Sequence, residues 1–313
     1  MPADYLTTIT GAPDVEGLEV AVVEGGSRLE LRWSAPGELV VLGTGGEPFL
    51  RLTPEGVESN RDSPDHWLTQ DRRGTTEVPE GVDGRGAPDW ERTSDEPVAR
   101  WHEHRAHWTG TDPPEVVQDD PDARHRVADW VVPLRVDGAG AEVTGTLDYL
   151  PGPSGLPWGL VALAVGVGAV LAQRAGGRVA AAACLVVLAA DVVRALGTGL
   201  SAADRPAQAL LEAMGIAGVG WVLLAVAAVG LLRGRLGAVV LVAVGGAVVA
   251  LAGATPEVGT LTASLPLSQW PDAVQRAAVA VGLGGGLGLL GGLVAAFRQL
   301  SGQDAVEPEP APA

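Results

Sequence analysis

The chain has 313 residues, and its 38 acidic residues outnumber its 21 basic residues, which are all arginine, so that the formal net charge is −17 at pH 7. This charge disfavours binding to the phosphates of DNA or RNA. The only cysteine, Cys184, excludes an internal disulfide bond and a zinc site made of paired cysteines.

Charge and hydropathy divide the chain near residues 152–157. Residues 1–155 hold 30 of the 38 acidic residues, all five histidines and six of the nine tryptophans, whereas the rest of the chain has no net charge and is strongly apolar. Such a shift marks a domain boundary. We therefore predict an N-terminal domain at 1–152, a membrane domain at 153–300 and a disordered tail, rich in Pro, Glu and Ala, at 301–313.

The first domain shows the period-two alternation that is typical of β-strands. Apolar and polar residues alternate in "LEVAVVE", "RLELRW" and "PFLRLT", while "ADWVVPLRV" and "AEVTGTLDYL" flank "DGAG", a hairpin signal because glycine adopts positive φ. These short strands predict an all-β domain, a sandwich of immunoglobulin-like or cupredoxin-like type. Residues 59–98 are polar and rich in Pro and Gly, and predict a long loop held by Trp67 and Trp90.

Three of the five histidines fall within "ARWHEHRAHW", residues 99–108. On a strand, His102 and His104 would point to one face, because side chains alternate. His107 would join them only if the strand ended or bulged near residues 105–106. Imidazole binds copper and zinc, so these three residues are candidate metal ligands, and the acidic domain would attract a cation. His66 or His125 could supply a further ligand.

Two features oppose a metal site in this segment. Arg105 lies inside the motif and would repel a cation unless it paired with Glu103. The domain body contains neither cysteine nor methionine, which disfavours a Cu(I) site. The alternative is a structural cluster, in which the His, Arg and Trp side chains fix the β domain to its long loop or to the membrane. The sequence leaves both interpretations open.

Five apolar segments in the second domain are each long enough, or nearly so, to cross a bilayer as a helix. They cover residues 156–173, 179–200, 213–232, 236–254 and 277–297. The lipid bilayer is thus the expected partner of this domain.

The arginines of the short loops predict the orientation of these helices, because arginine is retained on the cytoplasmic side. They lie in the first and third loops and after the last helix: Arg174, Arg178, Arg233, Arg235 and Arg298. The fourth loop, residues 255–272, has no arginine. Five crossings then place the C-terminus in the cytoplasm and residues 1–152 outside it. The first residues, "MPADYLTTIT", do not have the pattern of a signal peptide. Either an export leader precedes them in the natural gene product or the first membrane helix exports the domain unaided, and we favour the leader.

Two patterns inside the apolar segments carry further expectations. Asp191 and Arg194 are three residues apart on one helical face, and ionisable residues at depth are often functional. The simpler interpretation is that they lie near the outer end of the helix and snorkel or pair with each other. The last segment, "VGLGGGLGLLGGLVAAF", spaces its glycines as GxxxG, which predicts close helix packing within the bundle rather than a dimer contact.

The chain carries no GxSxG, Walker or HExxH motif, so we expect a non-enzymatic protein. Its segments "VVLGTGGEPFLRLTPEGVESNRDSP", "ARWHEHRAHWTG" and "WVVPLRVDGAGAEVTGTLDYLP" resemble a family of actinobacterial exported membrane proteins with a motif close to RWHDHRxHWM. In this chain Glu103 and Thr109 replace the Asp and Met of that motif. The resemblance implies a secreted β domain followed by membrane helices, and it implies no activity. The last hairpin is also faintly similar to the end of CopC-type copper proteins, a likeness of fold only.

These observations together predict an integral membrane protein of the cell envelope with an extracytoplasmic β-sandwich. Its first expected function is metal handling, with copper or zinc bound by His102, His104 and His107. Its second is that of a scaffold, or of a protein that binds another envelope protein, with a purely structural His-Trp cluster.

Overall fold

A computed structural model of the chain describes residues 4–201 and 206–303, with side chains as far as residue 293. The chain divides into two compact units, of which the first ends at Gly152 and the second begins at Pro153.

The described residues of the first unit form ten β-strands, two short α-helices and one turn of 3-10 helix, Glu24–Gly26. The strands are β1 (Tyr5–Gly11), β2 (Leu18–Val23), β3 (Arg28–Trp33), β4 (Leu39–Leu42), β5 (Pro48–Thr53), β6 (Gly56–Asn60), β7 (Trp90–Ser94), β8 (Val98–Trp101), β9 (His125–Val136) and β10 (Ala139–Tyr149). The helices are α1 (Pro64–Leu68) and α2 (Glu115–Asp119). The strands form an antiparallel seven-stranded sheet in the order β1-β10-β9-β4-β5-β6-β7 and a three-stranded sheet in the order β2-β3-β8.

Both sheets contribute side chains to one apolar core. Leu31 and Trp33 of the small sheet are buried with Phe49, Leu52 and Leu134 of the large sheet. This packing explains the alternation of apolar and polar residues in the sequence, because one face of a strand lies against the core and the other faces away from it. Burial of these large side chains is the main stabilising contribution in this unit.

The hairpin between β9 and β10 has the predicted turn. Asp137 and Gly138 both have positive φ, at 48° and 83°, and Ala139 pairs directly with Val136. This is the two-residue turn that suits the twist of antiparallel strands, and glycine at its second position has no Cβ to strain it.

The prediction of one loop over residues 59–98 was wrong. The segment contains α1, whose Ser63 accepts a hydrogen bond from the Asp65 amide as an N-cap, and also β7, which pairs with β6. Short elements flanked by Pro and Gly have too few residues to show a period, so the composition of the segment hid them. The irregular part is residues 69–89.

The second unit is helical. Its described helices are α3 (Leu156–Arg174), α4 (Gly177–Gly199), α5 (Pro206–Met214), α6 (Ala217–Leu232), α7 (Ala238–Val248) and α8 (Asp272–Gln303). Four stretches of the described residues are long and apolar enough to cross a membrane, and the pair α5 and α6 makes a fifth if it counts as one bent span. The described helices thus give four or five spans. The predicted number of five depends on counting α5 and α6 as one span, although the two helices are bent by 58° at a break around Gly215, which has a φ of 37°.

The fourth apolar span continues beyond its expected end. After α7 the chain widens into a π-helical turn, Val249–Ala254, and then tightens into a 3-10 helix, Thr255–Leu261. The predicted loop at 255–272 is therefore shorter, and it begins after Leu261. Pro256 has no N–H and cannot continue the regular helical hydrogen bonds, which accounts for the change of helix type.

The GxxxG pattern packs helices together inside the chain, as predicted. A Cβ at Gly284 or Gly288 would clash with a carbonyl oxygen of α3, and one at Gly286 with a carbonyl oxygen of α7. Helix α8 also extends further than predicted, because residues 301–303 are helical rather than part of the tail. The remaining residues of the predicted disordered tail, 304–313, lie outside the described residues.

Candidate functional site

The histidine-rich segment is a turn. Strand β8 ends at Trp101, and the amide of Ala106 donates a hydrogen bond to the Glu103 carbonyl at 2.9 Å. The expectation that His102 and His104 share one face of a strand was therefore wrong. The early end of the strand instead allows the third ring to approach: the His107 ring centroid lies 6.2 Å from that of His102 and 5.4 Å from that of His104.

A buried ion pair forms the centre of this turn. Glu103 is only 3 % exposed, and Arg105 donates to both of its oxygens, from Nε to Oε1 and from Nη2 to Oε2, at 2.7 Å each. Trp101 Nε1 donates to the same carboxylate at 3.0 Å. Burial alone would raise the pKa of Glu103, but the hydrogen bonds and charge of Arg105 outweigh it and hold that pKa below its usual value. The predicted pairing of Arg105 with Glu103 is confirmed.

Each of the three imidazoles is hydrogen-bonded to a backbone carbonyl. His102 Nδ1 donates to Ser27 O at 2.8 Å, His104 Nε2 to Asp71 O at 3.1 Å and His107 Nε2 to Arg72 O at 2.6 Å. A carbonyl oxygen only accepts, so the hydrogen must lie on the ring nitrogen that faces it. This assigns the tautomer of all three rings.

The contacts join the turn to two other parts of the domain. Ser27 immediately precedes β3, whereas Asp71 and Arg72 belong to the irregular segment 69–89. Gly74 of that segment lies against the His104 ring, where a Cβ would come within 2.7 Å of Cε1. We call residues 101–107 the His-Trp cluster.

The segment is itself well ordered where the cluster holds it. Asp71 accepts hydrogen bonds from the amides of Arg73, Thr75 and Thr76 and from the Thr76 hydroxyl at 2.8 Å. The hydrogen bonds of Thr76 and the neighbouring amides hold the pKa of Asp71 well below its usual range. The carbonyls of Asp71 and Arg72 are thus presented to His104 and His107 by a defined turn.

Burial keeps two of the imidazoles neutral. It lowers the pKa of His107 to about 4, against the opposing effect of its hydrogen bond to Arg72, and it also lowers the pKa of His102. The Nε2 atom of His102 faces the Nε–H of Arg28 at 3.4 Å. Of the six ring nitrogens of these three histidines, the Nδ1 atoms of His104 and His107 are the two that have no hydrogen-bond partner among the described residues.

The geometry of the described residues shows no group of three His, Cys, Asp or Glu side chains placed to hold a metal ion. The further candidate ligands have their own partners: His66 Nδ1 is 2.7 Å from Ser59 Oγ, and His125 Nε2 donates to Asp120 O. A metal bound by His102, His104 and His107 stays a prediction.

The far part of segment 69–89 borders a shallow cavity of about 470 Å³. Trp67 and Arg61 form one side of it, and Pro79, Val82 and Asp89 contribute to the rest. The His-Trp cluster therefore holds one end of a segment whose other end shapes an exposed surface.

A second polar site lies inside the helical unit, around the pair noted in the sequence. Asp191 and Arg194 of α4 are 0 % and 2 % exposed, and Arg194 Nε donates to Asp191 Oδ1 at 2.6 Å. Trp221 Nε1 of α6 donates to the other oxygen of Asp191 at 2.7 Å, and Arg194 Nη1 donates to Glu257. The predicted pairing is confirmed, but snorkelling is not, because neither side chain reaches the surface.

The carboxylate of Glu257 accepts two further hydrogen bonds. Thr198 of α4 donates to its Oε2 at 3.0 Å, and Gln275 Nε2 of α8 donates to it at 3.1 Å. Gly253 leaves room for the network, since a Cβ there would lie 2.7 Å from an oxygen of Asp191. The sequence did not reveal Trp221, Glu257 or Gln275 as members of this network. Trp221 lies inside an apolar run, where it is expected to pack, and Glu257 and Gln275 are single polar residues just outside such runs.

The described residues thus define a chain with a ten-stranded β unit and a helical unit that has four or five helices able to cross a membrane. No family model, no curated protein and no solved structure matches it.

Proposed function

We propose that the protein is an integral membrane protein of the cell envelope whose β unit, an immunoglobulin-like or cupredoxin-like sandwich, faces outside the cytoplasm as a non-enzymatic module that binds another envelope protein. In this proposal the His-Trp cluster is structural. It fixes segment 69–89 to the sandwich so that the surface around Trp67 keeps its shape.

One observation carries the proposal: the three imidazoles donate to carbonyls of Ser27, Asp71 and Arg72, two of which belong to the segment that must be fixed. A fully buried carbonyl that loses its donor costs about 1 to 3 kcal/mol, and these three contacts are partly buried, so each contributes up to about that amount. The charges of Glu103 and Arg105 cancel at the centre, so the cluster has no net charge as long as its histidine rings are neutral.

Metal handling is the second candidate function. The tautomers of His104 and His107 favour it, because each leaves one ring nitrogen that could bind an ion. A histidine that binds a metal usually donates its other N–H to a carbonyl, as His104 and His107 do, with Nδ1 left for the ion. Two such nitrogens with solvent ligands would suit Zn(II) or Cu(II). This candidate rests on two rings, because Arg28 faces Nε2 of His102.

The experiment compares full-length protein with the double variant H102A/H104A, in detergent, with and without a chelator. The structural role predicts a lower melting temperature for the variant in both conditions, and faster trypsin cleavage after Arg72 and Arg73, because the segment is released. H125A is the matched control: His125 also donates to a carbonyl but lies outside the cluster, and its loss should leave the cleavage rate unchanged.

Calorimetry with Zn(II) and Cu(II) distinguishes the second candidate. Micromolar binding that the double variant abolishes, together with a melting difference that disappears in chelator, would replace the structural role with metal handling. An unchanged trypsin cleavage rate in the variant would also contradict the structural role.

A further inference from the structure

Four arginines lie at one end of the helical unit. Arg174 is the last residue of α3 and Arg178 is the second residue of α4, while Arg233 and Arg235 lie between α6 and α7. The two connections are neighbours, because a Cβ at Gly177 would be 2.8 Å from the Leu231 carbonyl oxygen. All four side chains are exposed.

Within the described residues, no Asp or Glu lies close to these arginines in the sequence. The sequence has no Asp or Glu between residues 156 and 190 or between 213 and 256. Within the described part of the chain, none of the four arginines has an ion pair or a side-chain hydrogen bond. Among the described residues, these four positive charges therefore have no carboxylate as a partner, and an anionic ligand would complement them.

An apolar groove begins at two of these arginines. It has a volume of about 740 Å³ and runs between α6 and α7, with Arg233 and Arg235 at its end. Its walls are Val226, Val229 and Leu241, of which Val226 and Val229 are about half exposed. The groove thus opens on a face of α6 that the described residues leave uncovered.

Two glycines make the groove possible. A Cβ at Gly230 would lie 2.8 Å from the Cβ of Ala238, so glycine there allows α6 and α7 to approach closely at the floor. Gly237, in contrast, faces empty space, since nothing lies within 4 Å of a Cβ built there. A side chain at position 237 would enter the groove without disturbing its walls.

We propose that this groove is a binding site for an anionic phospholipid, with an acyl chain along α6 and α7 and the phosphate held by Arg233 and Arg235. Guanidinium groups bind phosphate oxygens with two parallel hydrogen bonds, and basic pockets between membrane helices bind anionic head groups. The apolar walls select a lipid over a free phosphate. The inference rests on the proposal that these helices span a membrane.

The test uses full-length protein in mild detergent and counts bound lipid by native mass spectrometry. The probes are phosphatidylglycerol and phosphatidylcholine with the same acyl chains, and inorganic phosphate as the soluble competitor. Phosphatidylglycerol should bind more tightly than phosphatidylcholine, and millimolar phosphate should not displace it.

Three variants separate the parts of the site. R233Q/R235Q should weaken phosphatidylglycerol binding by at least about tenfold and leave phosphatidylcholine unaffected, because each arginine near a membrane surface contributes about 1 kcal/mol. G237L should weaken both lipids by filling the groove. R178Q is the matched control, since it removes a charge from the same end but not from the groove.

Equal binding of the two lipids to the wild-type protein would overturn the proposal. So would an equal loss in R178Q and R233Q/R235Q, which would indicate attraction to general surface charge. Each variant is first shown to have the helix content of the wild type by circular dichroism, and failure of the protein to enter vesicles would instead contradict the membrane function itself.

Discussion

At the scale of single residues, the clearest consequence concerns His107. It is buried and neutral, and its pKa is about 4 in the folded protein, whereas an unfolded chain gives histidine its ordinary value near 6.5. Between these two pH values the unfolded chain binds a proton that the folded chain does not. Folding stability is therefore lost as the pH falls from about 6.5 to about 4, and the loss is complete below that pH.

We expect the β unit to lose up to about 3 kcal/mol from this residue over that pH range, as measured by denaturant unfolding followed by tryptophan fluorescence. H107Q should reduce the loss, because glutamine can still donate an N–H to the Arg72 carbonyl but cannot be protonated. A pH dependence of equal size in H107Q would show that His102 or the carboxylates cause it.

Residue-scale prediction succeeded where the partner was local. The pairing of Arg105 with Glu103 could be expected from sequence alone, because two opposite charges two residues apart have a short way to meet. The position of His107 could not. The position of His107 depends on two contacts between distant parts of the chain. The Thr7 hydroxyl of β1 donates to the Ala106 carbonyl, and the Arg72 carbonyl accepts a hydrogen bond from His107. No local sequence pattern predicts either contact.

At the scale of elements, the apolar helices could be predicted from the sequence, whereas the polar contacts between them could not. Their existence followed from the length of the apolar runs, and the glycines predicted that α8 would pack closely. The network around Arg194 could not be predicted from the sequence, because it joins four elements of the helical unit. Trp221, Glu257 and Gln275 are distant in sequence from the pair of Asp191 and Arg194 that they contact. Two carboxylates share one guanidinium there, so each depends on the same cation.

This sharing makes a specific prediction for unfolding in detergent, followed by circular dichroism. R194Q should destabilise the helical unit by about 3 to 5 kcal/mol, because it leaves the buried carboxylate of Asp191 without its cation. E257Q should cost less, since Arg194 keeps Asp191 as its partner. Adding D191N to R194Q should recover part of the loss by removing the unpaired charge.

The double variant provides the decisive comparison for the network. If the losses of D191N and R194Q simply add, the two residues act independently and the network is not a unit. Recovery in the double variant would show that the ion pair couples α4 to its neighbours.

At the scale of the whole molecule, the two units differ in charge in a way that bears on orientation. The β unit carries the entire net charge of −17, while the arginines of the helical unit that the structure describes as exposed lie at one end, at Arg174, Arg178, Arg233 and Arg235. Arginine in short loops stays in the cytoplasm. The proposal therefore places that end inside the cell and the β unit outside.

Cysteine labelling tests this arrangement directly, because the chain has a single cysteine, Cys184, which is buried and can be replaced by Ala to give a silent background. In that background we expect a membrane-impermeant maleimide to label E80C in intact cells, since Glu80 is exposed in segment 69–89. The second reporter, L236C, lies between α6 and α7 at a position that is 92 % exposed, and it should react only after lysis. Labelling of L236C but not E80C in intact cells would reverse the orientation and place the β unit in the cytoplasm.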